Sequence, residues 1–531
     1  MTRSLEEISR GLEPSRPGRP IPPGERIHVL GVGGAAASAS VLLAAASEAR
    51  LSGCDAAGPS LYTPAVLEAG IPLEWRHDSA HVVGPDGGAI VDRIAVSKAL
   101  TSVDPDLPEL VAAREAGIPA VSCQQLIADA AATRGARLIA VSGTHGKSTT
   151  TGWLLHLLLT AGADPNAFVG ALMPSSLTGG EPSVVRVGAD PVLVLEADEY
   201  GGNFDPYQPA IGVVLNADWD HPDVFASRAD VVATFERWIR AFDGGGRPPT
   251  LVAVVDDEGV QELLPRLRDW KGRLLLTSIS GDGIDPEDRR RALTHDYSTA
   301  EGPARAIVGS MEIGEKGNPT LTITGLDRAG GPLPVATLRL IGRHNASNAL
   351  AAATAAKAHG VPTDAIVSSL AAFEGVSRRL ELKGEVRGVA VLDDFGHHPT
   401  AIAATIAAVR LRYPGRRLWA VYEPLTFHRT AAMLDQFAEV LATRAERVAI
   451  ADIFAVRDPD TSIVSATDLA HAINARNGAR AVAPGSVEVT ADYLASEVEA
   501  GDVVLVMGGG RSYVIADRLV EALRARVIEP A

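Results

Sequence analysis

Residues 141–151 read Val-Ser-Gly-Thr-His-Gly-Lys-Ser-Thr-Thr-Thr. These are the types that hold a polyphosphate. Backbone N–H groups of Gly143, Thr144, His145 and Gly146 can face an anion at a helix start, with Thr149 just inside. Lys147 would reach the outer phosphates, and the Ser148 hydroxyl would ligate Mg²⁺. The spacing departs from the usual P-loop: a glycine is expected five residues before Gly146, where Val141 stands, and Gly143 comes three before instead. A second block, Val194-Leu-Glu196-Ala-Asp198-Glu199, sets carboxylates at the end of an apolar run. Mg²⁺ favours oxygen ligands, so Glu196, directly after the run, is the expected metal ligand ahead of Asp198 and Glu199. A third, Leu215-Asn216-Ala-Asp218-Trp-Asp220-His221, ends another apolar run. His221 joins Ser148 and Glu196 as the expected metal set, and Lys147, Glu196 and His221 as the expected catalytic group.

Four further blocks carry polar groups. Gly342-Arg-His-Asn345-Ala-Ser-Asn348 opens an Ala-rich helix, which Asn345 could cap, with Asn348 one turn on. Arg378-Arg379 pairs two cations, and Asp393-Asp394-Phe-Gly-His397-His398 follows an apolar strand. Adjacent histidines rarely chelate one ion, so His397 and His398 read as nucleotide or substrate contacts. Phe427-His428-Arg429-Thr430 offers a cation to an anionic ligand such as a carboxylate. Near the N-terminus, Gly31-Val-Gly33-Gly34 follows the apolar run Ile27–Leu30, and Gly53 and Asp55 follow a second. The full Gly-x-Gly-x-x-Gly is absent because position 36 is Ala. The turn suits a dinucleotide, another nucleotide diphosphate, or close packing.

These groups need elements that converge them. Strand and helix signals alternate along most of the chain, which predicts an α/β protein of doubly wound sheets. The expected division is a loose tail over 1–24, a first unit over 25–135, a second over 136–338 starting at the phosphate loop, and a third over 339–531. Residues 279–335, with β-like alternation at Leu321–Thr324 and again from Val335 to Leu340, read as decoration plus a linker. In open sheets ligands gather at the carboxyl ends of strands, where each block above lies.

The apolar content of 46% is ample for large cores, and the net charge of −16 argues against a general nucleic-acid or membrane-surface role. The first residues lack the apolar stretch of a signal peptide. The two cysteines, Cys54 and Cys123, show no metal-ligand spacing and read as buried small hydrophobes in a cytoplasmic protein.

Taken in order, Gly143–Thr150, Glu196–Glu199, Asn216–His221, Gly342–Asn348 and Asp393–Thr400 resemble the Mur ligase family of peptidoglycan synthesis, over roughly residues 26–520. Gly342–Asn345 and Phe427–Thr430 are similar to the branch that joins L-alanine to UDP-N-acetylmuramate, whereas Glu196–Tyr200 and Arg379–Gly384 are similar to the recycling branch that attaches a tripeptide. The resemblance implies three domains: an N-terminal Rossmann-like domain for the UDP-sugar, at Gly31, Gly33, Gly34 and Asp55; a central ATP- and Mg²⁺-binding domain; and a C-terminal Rossmann-like domain. It implies ATP-driven amide formation through an acyl phosphate, in a monomer or weak homodimer. It assigns Asn348 to adenine, Asp394 to ribose, Arg379 or Arg378 to phosphates, and Arg429 to the substrate side. Four departures stand out, one of them the segment Gly508-Gly-Gly-Arg-Ser512, which differs from the family's pattern. Thr426 occupies a position where the alanine branch usually carries a second Arg. Ser148 replaces the commoner Thr. No Lys lies between 221 and 270, which excludes the modified lysine some relatives use.

Overall fold

The computed structural model describes residues 3–525 except 282, 315–316, 328–330, 457, 459 and 478–479. Three main sheets organise it, their central strands short, apolar and buried on both faces, as expected for parallel sheets covered by helices. The first has five parallel strands, with Arg26–Leu30 at the centre between Arg50–Cys54 and Arg93–Val96. The second has ten. Its middle runs Thr250–Val254, Ile211–Val214, Arg137–Ser142, Val192–Glu196, all parallel. The third has six, with Val389–Asp394 and Leu418–Glu423 flanking Val503–Gly508 in parallel and Glu381–Val386 antiparallel at one edge. Among the described residues no helix is long and apolar enough to cross a membrane.

Three expectations are corrected. Residues 279–335 are not mere decoration: Arg305–Ile313, Pro319–Thr324 and Pro332–Thr337 extend the second sheet, the last two antiparallel. Short alternating runs do not reveal which sheet they join, because pairing is non-local. The Ala-rich helix Arg343–His359, placed by sequence in the third unit, packs with Trp153, Leu154 and Leu157 in the core of the second sheet. Its small side chains permit close approach to helix Lys147–Thr160. Residues 3–24 are docked rather than loose. Ile8 is fully buried and its carbonyl accepts from the Thr101 hydroxyl (2.6 Å). Arg16 grips both oxygens of buried Asp129 (2.7 and 2.9 Å), and Arg3 pairs with Asp223 (2.9 Å). Such anchoring by scattered arginines leaves no periodic trace.

Candidate active site

Strand Arg137–Ser142 lies between Ile211–Val214 and Val192–Glu196 and runs parallel to both. The segments after all three therefore emerge at one sheet edge, which brings together blocks far apart in sequence. Gly146, in the left-handed conformation (φ 82°), ends the loop and starts helix Lys147–Thr160. A Cβ there would lie 2.8 Å from Asn348 Oδ1, so the close approach of helix Arg343–His359 also requires glycine. Neighbouring groups hold the loop in shape. The His145 N–H donates to Asn216 Oδ1 (2.8 Å), and Asn216 Nδ2 donates back to the His145 carbonyl (3.2 Å). The Thr144 hydroxyl donates to the Asp218 carbonyl (3.1 Å) and accepts from the Asp218 N–H (3.0 Å).

Lys147 Nζ donates to the Gly143 carbonyl (2.7 Å) and to Glu199 Oε2 (3.1 Å), with Asp198 Oδ1 at 3.6 Å. Burial opposes its charge, but Glu199, Asp198 and Glu196 outweigh that and hold its pKa above the ordinary lysine value. Burial in turn pushes Glu199 up to about 7, against the pull of Lys147. Asp198, Glu199 and His221 form one group, with ligand atoms within 4.8 Å of one another. Glu196 stands outside that group; its Oε2 accepts the Gly170 N–H (2.7 Å), while it still lines the cleft. The carboxylate that meets Lys147 is thus Glu199, while Glu196 faces Gly170. Three acids within four residues are equivalent by spacing, and a turn through Gly201 and Gly202, both at positive φ, decides which one meets the lysine. Ser148, almost fully buried, accepts from Arg379 Nη2 (2.9 Å). Ser148, Glu196, Asp198 and Glu199 are hard oxygen donors and His221 adds one nitrogen, a set that fits Mg²⁺.

The third sheet closes the cleft from the opposite side. Asn348, Arg379, Asp394, His397 and Arg429 line it together with Lys147, Glu196 and His221, around a cavity of about 390 Å³. Asp394 is held by the N–H groups of Leu380 (2.9 Å) and Gly396 (2.8 Å). The His397 ring nitrogen bonds the Phe395 carbonyl (2.9 Å), and burial keeps the ring well below the usual histidine pKa, hence neutral. Two residues expected on the substrate side, His398 and Arg429, bond other parts of the chain. His398 caps helix Pro399–Arg412 through the Thr400 N–H and bonds the Trp219 carbonyl across the cleft (3.0 Å), with burial lowering its pKa to about 4. Arg429, fully buried, clamps Asp220 with Nε to Oδ1 (2.6 Å) and Nη2 to Oδ2 (3.1 Å). Burial would raise the Asp220 pKa, but this guanidinium holds it well below the carboxylate range. Thr426 caps the short helix Phe427–Ala432 that carries Arg429. Of six non-glycine residues at positive φ among those described, His221, Arg378, Leu380 and Thr426 border this region. Such strain gathers where surrounding structure enforces a functional geometry.

The N-terminal group lies on the first sheet. Gly33 N–H donates to Asp55 Oδ2 (2.8 Å). Its link to the cleft is half-buried Tyr62, whose hydroxyl pKa is raised by burial against the pull of Arg378 and Arg379. Leu61 and Tyr62 share a small pocket with Gly170, Arg378, Arg379 and Phe395, where all three sheets' loops meet. Sequence reasoning gave no role to Tyr62, His344 or Phe395. Only tertiary convergence singles out Tyr62 and Phe395.

Comparison with known proteins agrees with this geometry. The Mur ligase family catalytic-domain model matches residues 26–134, the Mur ligase middle-domain model 141–356, and the Mur ligase glutamate-ligase-domain model 378–510. The UDP-N-acetylmuramate–L-alanine ligase of Frankia casuarinae is 34% identical over 94% of this chain and 98% of its own, and that of Kineococcus radiotolerans 34% over 94% and 97%. Among solved structures, the UDP-N-acetylmuramate–alanine ligase of Thermotoga maritima superposes with a TM-score of 0.71 at 20% identity, covering 94% and 99% of the two chains. A murein peptide ligase from Psychrobacter arcticus superposes at 0.66 with 24% identity and the same coverage. Matched by three family models along residues 26–134, 141–356 and 378–510 and by relatives 34% identical over 94% of its length, the chain belongs to the Mur ligase family.

Proposed function

We propose that this protein joins L-alanine to the lactyl carboxylate of UDP-N-acetylmuramate with consumption of ATP. The observation that carries the reading is the meeting of Lys147 and its loop with three acidic residues and the Arg379 side at one cleft, in a chain whose full-length relatives bear that activity in their names. In this reading the first sheet's unit takes the UDP-sugar at Gly31, Gly33, Gly34 and Asp55. The second unit takes ATP at Gly143–Thr149, with Asn348 on adenine. The third, from about residue 378, brings Arg379 to the phosphates, Asp394 to the ribose, and His397 to the acceptor side.

The carboxylate oxygen attacks the terminal phosphorus of ATP, ADP leaves, and an acyl phosphate results. L-Alanine, having shed one proton from its ammonium, attacks the acyl carbon. Inorganic phosphate departs with the C–O electron pair, and the nitrogen loses a second proton as the amide forms. Two anions must meet in the first step, so Lys147 and Arg379 offset their repulsion. Mg²⁺, held by Ser148, Glu199 and Glu196 with Asp198 and His221 beside them, would supply further charge neutralisation on the phosphates. Acyl phosphates hydrolyse readily, so the enclosure of the cleft between the second and third sheets serves to keep water out. We place the protein in the cytoplasm, where both nucleotides are made, as a monomer or weak homodimer.

The test is initial rate of ADP formation with saturating ATP, Mg²⁺ and UDP-N-acetylmuramate, comparing L-alanine with L-alanyl-γ-D-glutamyl-meso-diaminopimelate. L-Alanine should turn over far faster. Glycine and L-serine should act weakly, because a single small group changes discrimination by only ~10–200-fold. Turnover with the tripeptide and none with L-alanine would overturn the reading.

A further inference from the structure

Beneath the Gly31–Gly34 turn, away from the ATP-side cleft, lies a second set of ligating side chains. His28 on strand Arg26–Leu30, Cys54 at the end of strand Arg50–Cys54, His81 in the turn Ser79–His81 and Glu109 on helix Pro108–Glu115 point at one another. One ligand atom from each falls within 4.8 Å of the others. His28 Nε2 is 3.3 Å from Cys54 Sγ, Cys54 Sγ is 3.3 Å from Glu109 Oε1, and His81 Nδ1 is 3.0 Å from Glu109 Oε1. Adjacent ligands of a tetrahedral zinc ion with Zn–N near 2.0 Å and Zn–S near 2.3 Å stand roughly 3.3–3.6 Å apart. The cluster is therefore close to the size of a zinc shell before any ion enters.

Three further observations favour an ion over a plain hydrogen-bond network. Cys54, His77, His81 and the Asp78 N–H (2.9 Å) all converge on Oε1 of Glu109, whose side chain is 0% exposed, which is more contacts than the lone pairs of one oxygen can pair with well and leaves Oε2 without a hydrogen-bond partner among the described residues. Such a group is costly to leave unpaired. The Ser52 hydroxyl sits 2.8 Å from His28 Nδ1; accepting that N–H leaves the Nε2 lone pair aimed at Cys54, the outer-sphere arrangement usual for metal-bound histidine. Finally, a thiolate, a carboxylate and two neutral imidazoles sum to −2, which balances one divalent ion in a site closed to solvent. The mixed sulfur, nitrogen and oxygen donors suit Zn²⁺ and not Mg²⁺. Cys54 is buried, as its sequence reading expects, but its polar neighbours come from separate elements, so spacing could not disclose them.

We propose that His28, Cys54, His81 and Glu109 form a structural Zn²⁺ site in the N-terminal unit. Four protein ligands leave no open position, as in structural rather than catalytic sites. His77, with Nδ1 3.2 Å from Glu109 Oε1 and 3.7 Å from Cys54 Sγ, is the outer neighbour that steadies Glu109. The ion would tie two strands, a turn and a helix together directly under Asp55, which holds the Gly33 N–H. Its entry requires the Cys54 proton to leave, so uptake should release protons.

The experiment uses the full chain without a histidine tag, expressed in zinc-supplemented medium. Elemental analysis should find one zinc per chain. After removal of zinc by a chelator, Co²⁺ should restore a tetrahedral visible spectrum with a thiolate-to-cobalt band in the near ultraviolet. Cys123→Ser should keep both metal and band; Cys54→Ser should lose the band, and His81→Ala the stoichiometric zinc. Chelation should lower the Tm of wild type and leave that of Cys54→Ser unchanged. A zinc ion at the Asp198–Glu199–His221 group would survive Cys54→Ser, and that result would overturn the assignment. So would wild-type protein with substoichiometric zinc and no thiolate–cobalt band, a reading that does not depend on any variant folding.

Discussion

Lys147 has two partners to serve. Without nucleotide it is neutralised by Glu199 and Asp198; with phosphates present it must turn part of its charge toward them. The buried Glu199, poised at about 7, makes the exchange feasible, since a proton can replace the lysine as its partner. This bears directly on Lys147→Ala. Removing the ammonium would ordinarily strand a buried carboxylate, yet Glu199 can take up a proton instead, so the fold should persist. Loss of charge stabilisation during phosphoryl transfer should cost about 3 kcal/mol or more, on the order of 10²-fold in turnover. Steady-state ADP release checks the rate, and thermal unfolding checks the fold. Turnover near wild type would remove Lys147 from the mechanism.

At the scale of elements, the loop works because two helices approach it closely. Gly146 is where the chain turns, and its absent side chain leaves room for Asn348 from helix Arg343–His359. Gly146→Ala would strain the left-handed backbone by about 1–2 kcal/mol and press a methyl against the Asn348 amide. The expected outcome is a rise in KM for ATP of roughly 10-fold or more, about 1.4 kcal/mol, with a small fall in denaturation midpoint. An unchanged KM would separate Asn348 from the nucleotide. This element was partly legible in sequence: an apolar strand, a glycine turn and Lys-Ser before a helical period specify the motif locally. That helix Arg343–His359 serves the second sheet was not legible, because a uniformly Ala-rich helix carries no stripe that names its partner. The same limit hid which sheet the strands of residues 305–337 join, the docking of residues 3–24, and the pairing of Lys147 with Glu199. Each depends on a contact between distant segments.

At the scale of the molecule, the site exists only while the second and third sheets stay apposed, and Arg429–Asp220 is the buried bond between them. The two residues are 209 positions apart, and both carboxylate oxygens are engaged. His398 to the Trp219 carbonyl, Thr400 to Asp218 (2.8 Å) and Arg379 to Ser148 run parallel to it. These parallel contacts are solvent-edged or single, whereas a desolvated bidentate ion pair is worth far more intact than broken. Asp220→Asn keeps the shape, removes the charge and leaves a buried guanidinium without its counter-ion, at a cost of about 3–5 kcal/mol. The surroundings resolve this most readily by letting the third unit swing out, which hydrates Arg429. Asp220→Asn should therefore increase the radius of gyration measured by solution scattering. It should also lower kcat more than it raises KM for ATP, since the phosphate loop itself is untouched. ATP added with UDP-sugar should recover part of the compaction, because ligands bridging the units restore apposition from the other side of the cleft. Scattering and kcat both equal to wild type would mean that the pair stabilises one surface only and that closure rests on the weaker contacts.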